Sequence, residues 1–270
     1  MNAKTFVLKR PLLSYFTLTF FISWTGAFAL VAKKWIHGES IPKFDGILLF
    51  PIMLLGPSLS ALFLKRLTSG KKGLKDLLSK ITRHIPVHWF CALLIPPAAI
   101  LLVLNILSVT VSREYHPNFF PLGFLFGIPA GLLEEIGWMG FAFPVMVRRR
   151  TALSSAILLG LVWGLWHLPV INFLGTASPH GAHWLLYFIA FTAVMTAMRV
   201  IISWVYCSTK SLWLCQLMHI SSTGSLVMLS PSPMTTQDEP LWYFGYAIAL
   251  WFFVLFLRVR FGRSLDRRWG

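Results

Sequence analysis

Eight long apolar runs dominate this chain. They cover roughly positions 12–32, 46–64, 87–109, 119–147, 152–173, 184–206, 212–229 and 241–257. A helix that crosses a bilayer needs about 20 mostly apolar residues. Runs of that length, repeated through 270 residues, make lipid the main solvent, since no soluble core of this size needs so much apolar surface. Composition agrees. The chain is 56% hydrophobic and 12% charged, and the charged share is about half that of a soluble domain. The expected fold is all-α: one polytopic transmembrane domain over 1–270, with about eight helices around a polar cavity inside the membrane.

Basic residues are unevenly spread among the segments between the runs. With the N-terminus in the cytoplasm, the cytoplasmic segments hold Lys4, Lys9 and Arg10; Lys65, Arg66, Lys71, Lys72, Lys75, Lys80 and Arg83; Arg148, Arg149 and Arg150; Lys210; and Arg258, Arg260, Arg263, Arg267 and Arg268. The opposite segments hold Lys33, Lys34, Lys43 and Arg113. Short loops rich in Lys and Arg stay on the cytoplasmic side. The expectation is therefore an integral protein of the plasma (inner) membrane with both termini in the cytoplasm. The formal charge of +15 then belongs mostly to one face, where it meets anionic lipid. No basic stripe with interleaved aromatics marks a nucleic-acid partner. The first run exceeds the core of about 7–15 residues typical of a signal peptide, so it reads as a retained span. Positions 71–88 combine basic residues with Leu74, Leu77, Leu78, Ile81 and Ile85 at helical spacing, the pattern of an amphipathic helix on the membrane surface. Cys91, Cys207 and Cys215 form no CxxC pair and read as packing residues rather than a disulfide or zinc framework.

Against this background a few polar residues stand out. Of the nine acidic residues, Glu39, Asp45, Asp76, Glu114, Asp238, Glu239 and Asp266 fall in loops or tails, while Glu134 and Glu135 lie deep in the fourth run. His167 lies in the fifth run, His219 in the seventh and Arg199 in the sixth. A charge at mid-bilayer costs about 2.5 kcal/mol or more, so such residues carry a function by default. Neighbouring helical positions differ by about 100° around the axis. Glu134 and Glu135 therefore face different ways: one can address a reaction centre while the other is held by a partner. A carboxylate beside histidines can move protons to and from water, and the two histidines can polarise that water or stabilise an oxyanion. A second arrangement open to the same groups is a zinc ion held by Glu134, His167 and His219 with one open position.

The motifs around these residues resemble those of the CPBP intramembrane protease family, which includes the type II CAAX prenyl endopeptidases and the abortive-infection and bacteriocin-immunity proteins. Glu134-Glu135-Ile136-Gly137-Trp138-Met139-Gly140-Phe141 is similar to the family's first motif. Trp163-Gly164-Leu165-Trp166-His167-Leu168-Pro169 is similar to the second, an aromatic residue shortly before a histidine. Ser211-Leu212-Trp213, then Met218-His219 and Thr223, is similar to the third. Gly56-Pro57 and the basic segment also fit, and the family-like core runs over about 46–230.

The resemblance implies proteolysis inside the membrane: a glutamate- and histidine-dependent endopeptidase whose substrate is a membrane-anchored peptide or protein. Carried over residue by residue, Glu134 is the general base, His167 assists it, and His219 with position 223 stabilises the oxyanion. The resemblance also implies a cavity opening toward the cytoplasm. Two positions depart from the family pattern. Arg is common where this chain has Met139, and Asn is usual where it has Thr223. The departures point to the alternative, a non-catalytic scaffold or immunity protein of the same fold. A transporter would need inverted repeats, and none is evident. Because an unpaired buried charge is costly, Arg199 is expected to replace the missing cation and pair with Glu135.

Overall fold

A computed structural model describes residues 2–39, 43–174, 181–231 and 234–265. Asp266, Arg267 and Arg268 lie outside the described residues. The elements are helical throughout, with no strand among the described residues: α1 (Ala3–Lys9), α2 (Pro11–Ile36), α3 (Lys43–Ser79), α4 (Ile95–Thr110), α5 (Gly127–Gly137), α6 (Phe143–Met146), α7 (Ala152–Trp166), α8 (Leu168–Leu174), α9 (Trp184–Thr209), α10 (Leu212–Leu229) and α11 (Asp238–Phe261). Short 3-10 turns precede α4 (Val87–Leu94) and α5 (Pro121–Phe126). Large apolar side chains such as Phe21, Val109, Phe252 and Val259 stay exposed, as expected of an integral membrane protein whose outer surface meets hydrocarbon.

Among the described residues, seven helices are long and apolar enough to cross a membrane. The fifth run departs from an uninterrupted span. Its helix α7 has 15 residues, about 22 Å at 1.5 Å per residue, and stops at Trp166. His167 forms a turn, and the chain resumes as α8. Pro169 has no backbone N–H to continue the earlier ladder. The amphipathic helix expected over 71–88 is also shorter. It ends at Ser79 and joins the second span without a loop, through Gly70 at φ 61° and ψ −151°. Its buried leucine, Leu77, reaches toward Gly140, where an added Cβ would lie 2.6 Å from Leu77 Cδ1.

Two hydrogen-bond sets define the ends of the bundle. Leu212 N donates to Lys80 O at 2.9 Å, tying the start of α10 to the basic segment. At the far end, Asn118 N and Phe120 N donate to Leu229 O and Met228 O at 3.2 and 3.0 Å. Asp238 and Glu239, expected in a loop, form the first turn of α11, where carboxylates meet the positive end of the helix dipole.

Packing follows small residues. An added Cβ at Gly131 would meet Gln216 O at 2.5 Å, so α5 and α10 approach backbone to backbone. At Gly160 it would meet Thr196 Cα at 2.6 Å, which seats α7 against α9. Close approach at small residues is a common way to associate helices in lipid. Here it brings α5, α7, α9 and α10 together at one level of the bundle, the level of the glutamate pair.

Candidate active site

Helix α5 carries Glu134 and Glu135, both buried. Neighbouring helices grip the backbone just ahead of them. Ser58 Oγ from α3 donates to Leu133 O at 2.6 Å, and Gln216 Nε2 from α10 donates to Leu132 O at 2.8 Å. Immediately after the pair, at Trp138–Ala142, the helix widens into a π turn. Such turns rotate whatever follows and recur at functional sites. Regular α spacing would place Met139 over Glu135. Met139, like Glu135, faces α9, with Ser203 Oγ 4.0 Å from its sulfur.

The two carboxylates have separate surroundings. Glu135 meets Arg199, whose Nη1 donates to Oε1 and Oε2 at 2.9 and 2.8 Å. Both side chains are fully buried, so the expected partner of Glu135 is in place, supplied by α9 one turn from Ser203. The Arg199 guanidinium carbon also lies 4.1 Å from the centroid of the Trp163 ring, a cation–π contact strengthened by desolvation. Glu134 is held differently. The indole N–H groups of Trp138 and Trp163 both donate to its Oε2, at 3.0 and 2.7 Å. Trp163 thus joins the halves of the site, with its ring under Arg199 and its N–H on Glu134.

The histidines divide between the acids. His219 Nδ1 lies 2.7 Å from Glu135 Oε1, while its Nε2 lies 4.0 Å from Glu134 Oε1. His219 therefore hydrogen-bonds Glu135 through Nδ1 and turns its other nitrogen, Nε2, toward Glu134. Since Arg199 already pairs with Glu135, the proton in the short contact belongs to His219 Nδ1. His167 Nδ1 lies 2.7 Å from Trp163 O. A carbonyl only accepts, so His167 donates through Nδ1, and its Nε2 is an acceptor when the ring is neutral.

Glu134, Trp163, His167, His219 and Thr223 line one cavity of about 330 Å³. Glu135 and Arg199 lie behind its wall. The rest of the lining is aromatic and aliphatic, including Tyr187, Phe191, Met195, Trp242 and Tyr243, with Glu239 near the far end. The cavity reaches Asn118, Phe120 and Ser230, at the end away from the basic segments.

The zinc arrangement drawn from Glu134, His167 and His219 does not fit the side chains as they stand. Among the described residues no three His, Cys, Asp or Glu side chains gather to hold a metal. Ligand atoms on tetrahedral zinc with bonds of about 2.0–2.1 Å sit about 3.3 Å apart, whereas Glu134 Oε1 and His219 Nε2 are 4.0 Å apart. The other oxygen of Glu134 already accepts two indoles. Trp138, Trp163 as a clamp, Gln216 and Glu239 were not among the residues expected at the site. An indole four residues after Glu134 on one helix was the available signal for Trp138.

Comparison with known proteins adds a relationship. Residues 116–224 match the family model described as type II CAAX prenyl endopeptidase Rce1-like. The chain is also 27% identical over 183 residues to "CAAX prenyl protease 2" of Methanococcus maripaludis. That match covers 60% of this chain and 62% of the relative, less than two thirds of the relative's length. The family-model match contains the four cavity-lining groups Glu134, His167, His219 and Thr223.

Proposed function

We propose that this chain, which resembles the CPBP family of CAAX-protease-like membrane proteins, is an intramembrane endopeptidase that hydrolyses peptide bonds of membrane-anchored peptides or proteins. The observation that carries the reading is the asymmetric glutamate pair. Glu135 is neutralised by a buried arginine, which leaves Glu134 facing an apolar cavity with two histidine nitrogens and a hydroxyl.

The chemistry follows from what each atom can still do. Glu134 Oε2 is occupied by two indole donors, which fix the carboxylate and leave Oε1 on the cavity side. A water beside Oε1 gives it a proton, and the water oxygen attacks the scissile carbonyl carbon. His167 Nε2 accepts the water's second hydrogen and orients the lone pair. The carbonyl oxygen becomes an oxyanion, which accepts hydrogen bonds from His219 Nε2–H and the Thr223 hydroxyl, two groups that line the same cavity as Glu134. Because Nδ1–H of His219 is committed to Glu135, this donor role uses the doubly protonated ring. Collapse of the intermediate breaks the C–N bond, and the proton held by Glu134 passes to the leaving amine. Preorganised donors of this type in a dry site are worth about 3–4 kcal/mol each.

Met139 and Thr223 favoured a non-catalytic scaffold. Arg199 answers the first, since Glu135 has its cation from another helix. A threonine hydroxyl answers the second with one donor. The test is cleavage of a membrane-peptide library by purified wild type, Glu134→Gln and His167→Ala. Cleavage by wild type that is lost in both variants supports the protease. Unchanged biological activity in Glu134→Gln refutes it and leaves the scaffold.

A further inference from the structure

We propose that the first long helix, α2, positions both reacting groups of the site: Trp24 fixes the helix break that presents His167, and Tyr15 backs the Trp138 indole that holds Glu134. The inference deepens the protease reading and rests on it. Helix α2 lies outside the segment 116–224 that matches the family model, and its two residues act through others rather than on the substrate.

The break at His167 needs a donor from another helix. Carbonyls in the last turn of a helix have no partner within it, and Pro169 has no N–H to offer them. Trp166 O is the last carbonyl of α7. The indole N–H of Trp24, half-buried on α2, donates to it at 3.0 Å. On the next residue, the His167 backbone N–H donates to Gly164 O at 3.2 Å. Both polar atoms of the peptide between Trp166 and His167 are thus held. A peptide plane held at both ends fixes the direction in which His167 leaves the chain, and the bond from its Nδ1 to Trp163 O then fixes the ring.

Glu134 is reached from the same helix. Tyr15 is fully buried and lies nearly perpendicular to the Trp138 ring, with centroids 5.8 Å apart. It also stacks on Phe141 at 5.1 Å. Trp138 is the residue whose indole N–H donates to Glu134 Oε2, so the Tyr15 ring limits where that donor can point. The Trp166 ring closes the path between the two halves, at 5.8 Å from Trp138 and 4.8 Å from His167. Small residues seat α2 at this depth. An added Cβ at Gly56 of α3 would lie 2.7 Å from Thr19 O, and one at Gly137 of α5 would lie 2.5 Å from Pro57 O and collide with Tyr15 Oη.

The experiment uses the purified full chain and a membrane peptide that wild type cleaves, assayed well below every Tm. Trp24→Phe keeps a ring and removes the N–H. Trp251→Phe is the control, since that indole also donates to a helix carbonyl, Ala193 O at 3.1 Å, between α11 and α9. Trp24→Phe is expected to lower kcat about 2- to 10-fold, the range of one neutral hydrogen bond, with KM little changed. Trp251→Phe should leave kcat at the wild-type value. Tyr15→Leu keeps apolar volume, removes the ring beside Trp138, and should lower kcat by about 2- to 10-fold. A brace that only adds stability would move Tm and leave kcat alone. Wild-type kcat in Trp24→Phe, or an equal fall in Trp251→Phe, overturns the proposal, and wild-type kcat in Tyr15→Leu removes Tyr15 from it. Nitrogen NMR of ring-labelled histidine reads the same link without turnover. Trp24→Phe should move the His167 signals and leave those of His219 in place, and unmoved His167 signals refute the brace. The protease reading fails separately, if wild type cleaves nothing, while a moved His167 signal still upholds the role of Trp24.

Discussion

Replacing Arg199 by methionine tests the centre of this structure most directly. The guanidinium gives two hydrogen bonds, at 2.9 and 2.8 Å, to a carboxylate that is fully buried with it. Removing one partner of such a pair costs about 3–5 kcal/mol, because the other charge stays behind. At about 2–4 °C per kcal/mol, an apparent Tm in detergent should fall by about 6–20 °C. The matching variant Arg199→Met/Glu135→Gln removes the stranded charge and should regain most of that loss. A third variant, Arg199→Met/Met139→Arg, returns a cation to α5 beside the space Arg199 leaves and should regain part of it. The assay is thermal unfolding of the three variants and wild type under one detergent condition. If Arg199→Met melts within about 2 °C of wild type, Glu135 is not held by this ion pair and the division of labour between the two acids fails.

Further expectations concern the clamp, the helix contact and metals. Trp163→Phe keeps a ring near Arg199 and removes the N–H on Glu134. A hydrogen bond to a charged group is worth about 1.5–3 kcal/mol, so kcat should fall about 10- to 100-fold with KM little changed; an unchanged kcat rejects the clamp. Gly131→Ala drives a methyl against Gln216 O and should destabilise by about 1–3 kcal/mol through overpacking, read as a lower Tm. Because Glu134, His167 and His219 do not form a ligand cluster, a chelator should leave peptide cleavage unchanged. Activity lost to the chelator and restored by zinc would refute that.

The membrane bundle was legible because lipid enforces long apolar runs, and a charge among them needs a reason. Arg199 and Glu135 were legible on the same ground: each is too costly alone, so each predicts the other. The assignment of histidines was not. A 100° step between Glu134 and Glu135 shows that they face different ways, yet the face met by α10 depends on its rotation against α5. That rotation is set where Gly131 passes Gln216. The π turn at Trp138 was likewise hidden, since no proline or glycine pattern demands it. The break at His167 had a visible sign in Pro169, but a single apolar run concealed it. Glu239 read as a loop acid because its position beside the cavity arises from the approach of α11, far along the chain.

The Arg199 pair also sets an order of events during synthesis. Glu135 precedes Arg199 by 64 residues and His219 by 84. At about 5–20 residues per second, α5 waits some 3–13 s beside the ribosome before its cation exists. During that interval the nascent protein holds an acid with no counter-ion, and a chain halted before α9 never gains one. The same pair that stabilises the finished bundle therefore marks an unfinished one, in a form that membrane quality control can read.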